Sequence, residues 1–398
     1  MSKGSQKLIL VTTTRADWGI LSPLARALSQ HPDVELTIAA ANMHLSALYG
    51  HTIDEIRADG FDAVEIGACE VDDTAASRSK LTASITCDMA DIIERLKPDG
   101  IILLGDRYEM LGVATAAVIA SVPIVHLHGG EISEGAIDDA VRHALTKMAS
   151  LHLVATEKSA ERIIRMGEEP RRVVRTGALG VENALTIKPL SIDELRQSLD
   201  GFHIDPKKTL LVTFHPVTRH PLALSTHRQI DALLEALDNV PECNVIFTYP
   251  NNDTGSNEII ERIEQFATQR PDRVKAIASL GKQRYLSALW HVLAVVGNTS
   301  SGLLEAPSTT AVTIDIGPRQ QGRERAETVI HVDDDAEQIT RAIRQTIHQS
   351  QLLPNKGLSC NTNPYYKPEA CRTAVEAITR LLPTLPPVKK FYSPHNEI

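Results

Sequence analysis

Residues 7–30 read KLILVTTTRADWGILSPLARALSQ. The run at 7–13 is apolar without polar alternation, as in a strand buried on both faces. A helical pattern over 19–30 follows it. The unit then repeats. VELTIAA at 34–40, DGIILLGD at 99–106, VPIVHLH at 122–128 and LHLVAT at 151–156 read as strands, with helical patterns such as 107–120 and 138–149 between them. Buried strands separated by helices predict a parallel sheet covered on both faces.

The stretch GALGVENALTIKPL at 177–190 breaks this rhythm, punctuated by Gly177, Gly180 and Pro189. A second series follows: TLLVTF at 209–214, NVIFTY at 244–249, RVKAIA at 273–278, LAVVGN at 293–298 and TAVTIDI at 310–316. Helical patterns at 224–237 and 257–267 fill its gaps, and a last one covers 368–382. The fold class is therefore α/β, as two Rossmann-like doubly wound domains. One is expected over 1–180 and the other over 190–366. Such sheets bind ligands outside the carboxyl ends of their strands, so the active site is expected in the cleft between the domains, with a hinge near 177–190.

Composition narrows the function. Among 398 residues, Lys and Arg number 41 and Asp and Glu 50, a formal net charge of −9. An acidic chain with no basic block argues against a nucleic-acid partner, because phosphate contacts need clustered cations. The five cysteines, Cys69, Cys87, Cys243, Cys360 and Cys371, are odd in number and show no C-x-x-C spacing, which fits a reducing compartment. The apolar run at 8–11 is too short for a signal sequence, and 110–125 falls short of a membrane span. A soluble cytoplasmic protein with no membrane partner is expected.

Five segments carry possible chemistry. TTTRADWG at 12–19 puts Arg15 and Asp17 where the first strand hands over to a helix. Arg15 can grip a phosphate or carboxylate there, or simply form a surface ion pair. GDRYE at 105–109 puts Asp106 and Arg107 at another strand end, either as a helix N-cap or as a catalytic carboxylate and its neighbour. HLHGGEISEGAIDDAVRHALTK at 126–147 is the richest. By period two, His126 and His128 share one face of a strand end; Glu131 follows on a loop; Asp138 and Asp139 open a helix, with Arg142, His143 and Lys147 on its next turns. Acids first and bases later make a well-capped helix, with Asp138–Arg142 and Asp139–His143 pairs. That account leaves the Gly-Gly-Glu loop unexplained. A metal is disfavoured, since no Cys lies nearby, and carboxylates that move protons are the better reading.

In TFHPVTRH at 213–220, His215 closes a strand of the second series and is a candidate acid or base. In GNTSSGLLEAP at 297–307, a strand ends at Gly297 and a small polar run opens a helix whose N–H groups can cradle a phosphate. Thr299, Ser300 and Ser301 add hydroxyls, and Glu305 can accept bonds from sugar hydroxyls. Arg319 and Arg323, in DIGPRQQGRER at 315–325, either add charge opposite a diphosphate or are simply solvated. No P-loop and no G-x-G-x-x-G after the first strand is present, which disfavours an ATPase or a nicotinamide enzyme.

Taken in order, TRADWG, LGDRYE, HLHGGE with DD, RHA and TK, GALGVENAL, FHPVT, NNDTGS, GNTSSGLLE, IGPRQQGR and NPYYK resemble the hydrolysing UDP-N-acetylglucosamine 2-epimerases of sialic-acid biosynthesis, over about residues 7–380. The resemblance implies a glycosyltransferase-B-like fold, with the C-terminal helix and tail, 367–398, packing back on the first domain and the second domain binding UDP. It implies conversion of UDP-N-acetylglucosamine and water to N-acetylmannosamine and UDP, by elimination to a glycal and hydration, with no cofactor and no metal. It implies catalytic duties for Asp106, Glu131, Asp138 and His215. Arg15, Arg142, Thr299, Ser300, Glu305 and Arg319 match positions that bind UDP or its ribose, and Asn251 matches a cleft residue. Arg107, His128 and Ser301 complete the substrate-binding set.

There is one departure. Many members of that family read H-x-E-G-G-E, so His128 stands where a catalytic glutamate often sits, and one extra residue separates Glu131 from Asp138. Either Glu131 or a neutral His128 then moves the proton. The variant resembles the sialic- and legionaminic-acid branch. The same reaction on UDP-2,4-diacetamido-2,4,6-trideoxyglucose is therefore an alternative. A transferase of the same fold and a non-catalytic sugar-nucleotide binder are others, though binding alone needs few titrating groups. A homodimer is expected from the resemblance and from its frequency among soluble enzymes.

Overall fold

The computed structural model describes residues 5–68, 72, 74–218, 225–352, 362–386 and 389–393. The expected helix start at 224, Cys69, Cys360, and positions 219–220 of the TFHPVTRH segment lie outside them. The chain divides into two compact units.

The first unit holds a seven-stranded parallel sheet: β1 (Gln6–Thr12), β2 (Val34–Ala41), β3 (Ala63–Ile66), β4 (Gly100–Leu104), β5 (Ile124–Leu127), β6 (Leu151–Val154) and β7 (Val173–Arg175). The order is β3-β2-β1-β4-β5-β6-β7, so it reverses direction between β1 and β4. Alternation along β1 sorts the core. Leu8 and Leu10 pack on one face with helices Arg15–Ser29 and Ala370–Leu381. Ile9 and Val11 pack on the other with helices Ala75–Leu96 and Glu109–Ile119.

Residues 367–398 cluster with this unit. Helix Ala370–Leu381 buries Ala370, Ala374, Ala377 and Ile378, the i, i+4, i+7, i+8 stripe of an amphipathic helix. Beyond it, Lys389 Nζ donates to the carbonyls of Lys147 at 2.8 Å and Ala149 at 2.6 Å, at the end of helix Asp138–Met148. A cation there also suits the helix dipole. Tyr392 N–H donates to the Gly167 carbonyl at 2.9 Å. Beneath this tail lies the Glu168 carboxylate. Burial alone would raise its pKa, but hydrogen bonds from His152, Lys147 and Lys389 outweigh burial and hold it at about 2.

The second unit comprises residues 183–366 and the six residues 132–137. Its parallel sheet holds β8 (Thr209–Thr213), β9 (Asn244–Thr248), β10 (Val274–Ile277), β11 (Ala294–Gly297), β12 (Val312–Ile316) and β13 (Val329–Val332). The order β10-β9-β8-β11-β12-β13 matches the first six strands of the other sheet, with its reversal between β8 and β11. Phe214, Phe247, Ile230, Leu233 and Ile263 lie in its largest core cluster. Within this unit Glu134 N–H donates to the Gln321 carbonyl at 3.0 Å.

Both units are thus Rossmann-like and doubly wound. Strands β3, β7 and β13 were not expected from the sequence. All three are short edge strands with mostly half-buried residues, so they lack an apolar run. Helix Leu179–Thr186 fills the stretch that the glycines seemed to break, and the division between units falls within it.

Candidate active site

In an open parallel sheet, the loops leaving two oppositely wound strands splay apart and form a crevice. In the first unit these loops follow β1 and β4. Thr14 caps helix Arg15–Ser29 and receives the N–H of Asp17. The Asp17 carboxylate accepts from Thr13 N–H at 3.1 Å, Thr13 Oγ1 at 2.7 Å and Thr14 N–H at 3.0 Å. Burial pushes the Asp17 pKa up, opposed by the Thr13 hydroxyl and by Arg107. Arg15, the first residue of the helix, is half-buried.

After β4, the next helix starts at Glu109 with Tyr108 as its cap. Asp106 therefore does not cap it. Its carboxylate instead meets the guanidinium of Arg142, which is buried to 1% exposure. Arg142 Nη1 also donates to the Glu131 carbonyl at 3.0 Å and lies 3.5 Å from the Asp139 carboxylate. Arg107 is buried and donates to Glu109 at 3.0 Å, which also receives the amide of Asn42.

The expected common face for His126 and His128 is not found. Strand β5 ends at Leu127, and His128 turns out with φ +61°. His126 Nε2 lies 2.7 Å from the Gly105 carbonyl, and burial pushes its pKa down to about 4. His128 Nδ1 instead lies 2.9 Å from Glu131 Oε1. Asp138, half-buried, opens helix Asp138–Met148. His143 lies 3.7 Å from Asp139; burial lowers its pKa and Asp139 opposes that. Asp106, Arg142, Glu131 and His128 are thus linked in one chain of contacts beyond the carboxyl ends of β4 and β5.

In the second unit the loops follow β8 and β11. His215 N–H donates to Asn298 Oδ1 at 2.7 Å, and Asn298 Nδ2 donates to the His215 carbonyl at 2.8 Å. The Asn251 N–H donates to His215 Nδ1 at 3.2 Å. A backbone N–H can only donate, so Nδ1 accepts and the neutral ring carries its proton on Nε2. Arg319 Nη1 donates to the Asn298 carbonyl at 3.3 Å, joined there by Gln320 Nε2 at 2.8 Å. Arg319 also lies 3.8 Å from the Asp253 carboxylate. His215, Asn251, Asn298 and Arg319 are thus gathered in this unit.

Thr299 and Ser300 are half-buried and lead into helix Ser301–Leu304. It is four residues long, so the helix-dipole support expected for a phosphate is small. Ser301 Oγ is buried with no hydrogen-bond partner among the described residues. Glu305 caps the short helix and is 5% exposed. Among the described residues, no group of three or more His, Cys, Asp or Glu is arranged to hold a metal ion. No described helix is long and apolar enough to cross a membrane.

Sequence reasoning passed over Asn298, Asp253 and Glu109. Asn298 follows β11 directly, Asp253 stands further along the loop after β9, and Glu109 lies two residues beyond the Asp106–Arg107 pair. Those positions were the available signal.

The chain is 36% identical over 350 residues to the UDP-N,N'-diacetylbacillosamine 2-epimerase (hydrolyzing) of Legionella pneumophila, covering 87% of this chain and 90% of that protein. It is 34% identical over 375 residues to the polysialic acid biosynthesis protein P7 of Escherichia coli, covering 94% and 93%. Its fold matches that of the Neisseria meningitidis UDP-GlcNAc 2-epimerase bound to UDP-GlcNAc, with a TM-score of 0.78 at 18% identity, covering 94% of this chain and 100% of that one. This is a glycosyltransferase-B-like pair of Rossmann-like units. Residues 26–379 match the profile described as UDP-N-acetylglucosamine 2-epimerase, and the chain belongs to that family.

Proposed function

We propose that the chain hydrolyses UDP-N-acetylglucosamine to UDP and N-acetylmannosamine, the first step of sialic-acid synthesis. The observation that carries this reading is the linked set of Asp106, Arg142, Glu131 and His128 beyond the carboxyl ends of β4 and β5. A sugar-nucleotide binder has no need of such a set, whereas this reaction does. The C2 proton is weakly acidic, so a base must take it as the C1–O bond breaks and UDP departs. The C–H electrons form the C1=C2 bond of a glycal. Water then adds its oxygen to C1, and a proton returns to C2 on the opposite face.

Proton transfer is assigned to the first unit, through Asp106, Asp138 and the turn 128–131, with Arg15, Arg107 and Arg142 holding charge. Nucleotide binding is assigned to the second, through Thr299, Ser300, Ser301, Glu305 and Arg319, with Asn251 beside His215. Donors already in place offset the charge that develops on the departing diphosphate.

A second reading, the same reaction on the 4-acetamido-6-deoxy analogue, is supported by the similarity to the Legionella relative. The two sugars differ at C4 and C6, and a pocket that bonds hydroxyls there rejects the analogue strongly. The test is a proton NMR time course in deuterated water with each UDP sugar in turn. UDP release with deuterium at C2 of N-acetylmannosamine supports the first reading. Turnover of the analogue alone supports the second. Release of N-acetylglucosamine with its C2 proton retained rejects both and favours a transferase.

A further inference from the structure

The turn after β5 holds a device that neither family membership nor fold assigns. His128 adopts φ +61°, a left-handed conformation that non-glycine residues seldom take. Its side chain is 10% exposed. Nδ1 sits 2.9 Å from Glu131 Oε1, whereas Nε2 is buried with no hydrogen-bond partner among the described residues. An ionised carboxylate only accepts, so a short contact to it places the ring proton on Nδ1. That leaves the Nε2 lone pair as a base. The Glu131 backbone is held in turn by Arg142, and the His128 N–H is held by the Leu153 carbonyl at 3.0 Å. An outlying backbone angle, an orienting carboxylate and an unused buried nitrogen coincide on one residue. Strain of this kind collects where chemistry needs it.

We propose that His128 is the base that takes the C2 proton, and that Glu131 is its positioning residue, fixing the tautomer rather than moving the proton itself. The inference rests on the proposed reaction. In the step, Nε2 bonds the proton and the C2–H bond breaks. Its electron pair becomes the C1=C2 bond, and the C1–O electrons leave with UDP. The imidazolium that forms is balanced by the Glu131 carboxylate, as in other carboxylate–histidine pairs. Among the described residues, the other charged or titratable groups linked to the turn are Arg142 with its partners Asp106 and Asp139, His126 on β5, and Arg162, which donates to the Gly130 carbonyl.

Two measurements test this. The first needs no substrate: the ring nitrogen-15 spectrum of the full chain, with His128 assigned by comparison with His128→Gln. A proton on Nδ1 in the wild type, released from that tautomer in Glu131→Gln, is expected. A proton on Nε2, indifferent to Glu131→Gln, overturns the pair whatever the substrate. The second is the pH profile of turnover. His128→Gln is expected to lose about 10²–10⁴-fold in kcat with KM little changed. Glu131→Gln loses about 10–100-fold, as orienting partners do. His128→Glu restores activity, with the acid limb moved to lower pH, as expected when a carboxylate replaces an imidazole. A His128→Gln enzyme with wild-type kcat, or an unmoved limb in His128→Glu, overturns the assignment. If the wild type turns over neither UDP sugar, the reaction reading fails while the spectrum still decides the tautomer.

Discussion

His215 and Asn298 hold each other through two hydrogen bonds, 2.7 Å from the histidine N–H to Oδ1 and 2.8 Å from Nδ2 to the histidine carbonyl. The asparagine side chain imitates one rung of a sheet just past the point where β8 and β11 stop pairing. The backbone carbonyl of Asn298 accepts from Arg319 and Gln320.

Asn298→Ala removes both rungs. Each buried backbone group that loses a bond costs about 1–3 kcal/mol, so for the two a loss of about 2–6 kcal/mol is expected in urea unfolding. Arg319 and Gln320 bond the backbone carbonyl of residue 298, which alanine retains, so UDP affinity by titration calorimetry should fall by less than about tenfold. Asn298→Asp keeps the acceptor and loses the donor, so it should fall between. An alanine variant as stable as the wild type would remove Asn298 from this role.

Two glycines beside the switch points should respond very differently to alanine. Gly297 has φ +135°, and a Cβ there would lie 2.0 Å from the Thr213 carbonyl oxygen. Gly105 has φ +74°, with nothing within 4 Å of a Cβ. Gly105→Ala should cost about 1–2 kcal/mol, the left-handed penalty alone. Gly297→Ala adds a clash with backbone and should cost about 3 kcal/mol or more. Equal losses in the two variants would contradict the close approach.

Stability should fall in two pH windows. His44 and His126 are buried, and burial lowers both pKa values from the ordinary 6.5 to about 4. Above pH 6.5 both are neutral folded or unfolded. Below it the unfolded chain takes up protons first, so stability drops down to about pH 4. Glu168, held at about 2 against an ordinary 4.5, works in the lower window. Its contribution is whole above pH 4.5 and is lost as pH falls toward 2. Calorimetric melting at pH 7, 5 and 3 should show the wild type above Glu168→Gln at pH 7, with the gap narrowing at pH 3. A gap of constant size would contradict the network.

The sheets were legible because their central strands are unbroken apolar runs, and candidate site residues such as Asp106 and His215 stood out because they follow strand ends. Strand β7, with sequence VVR, was not legible, since a half-buried edge strand needs no apolar run. The His128 turn was misread as strand because HLH continues the alternation, and sequence alone does not show a left-handed residue. Asp106 reads from the sequence as either a helix cap or a catalytic carboxylate. Its partner Arg142 lies 36 residues away, and no local pattern reports such a contact.

The bonds from Lys389 to the end of helix Asp138–Met148 also order events in time. The helix residue Lys147 waits for a partner 242 positions further along the chain. At about 5–20 residues per second, translation takes roughly 10–50 s to cover that distance. Through that interval the second unit is made in full and free to fold, while the helix that begins with Asp138 lacks its final clasp. A nascent chain stalled before residue 389 would therefore carry the first unit with that helix end still uncapped.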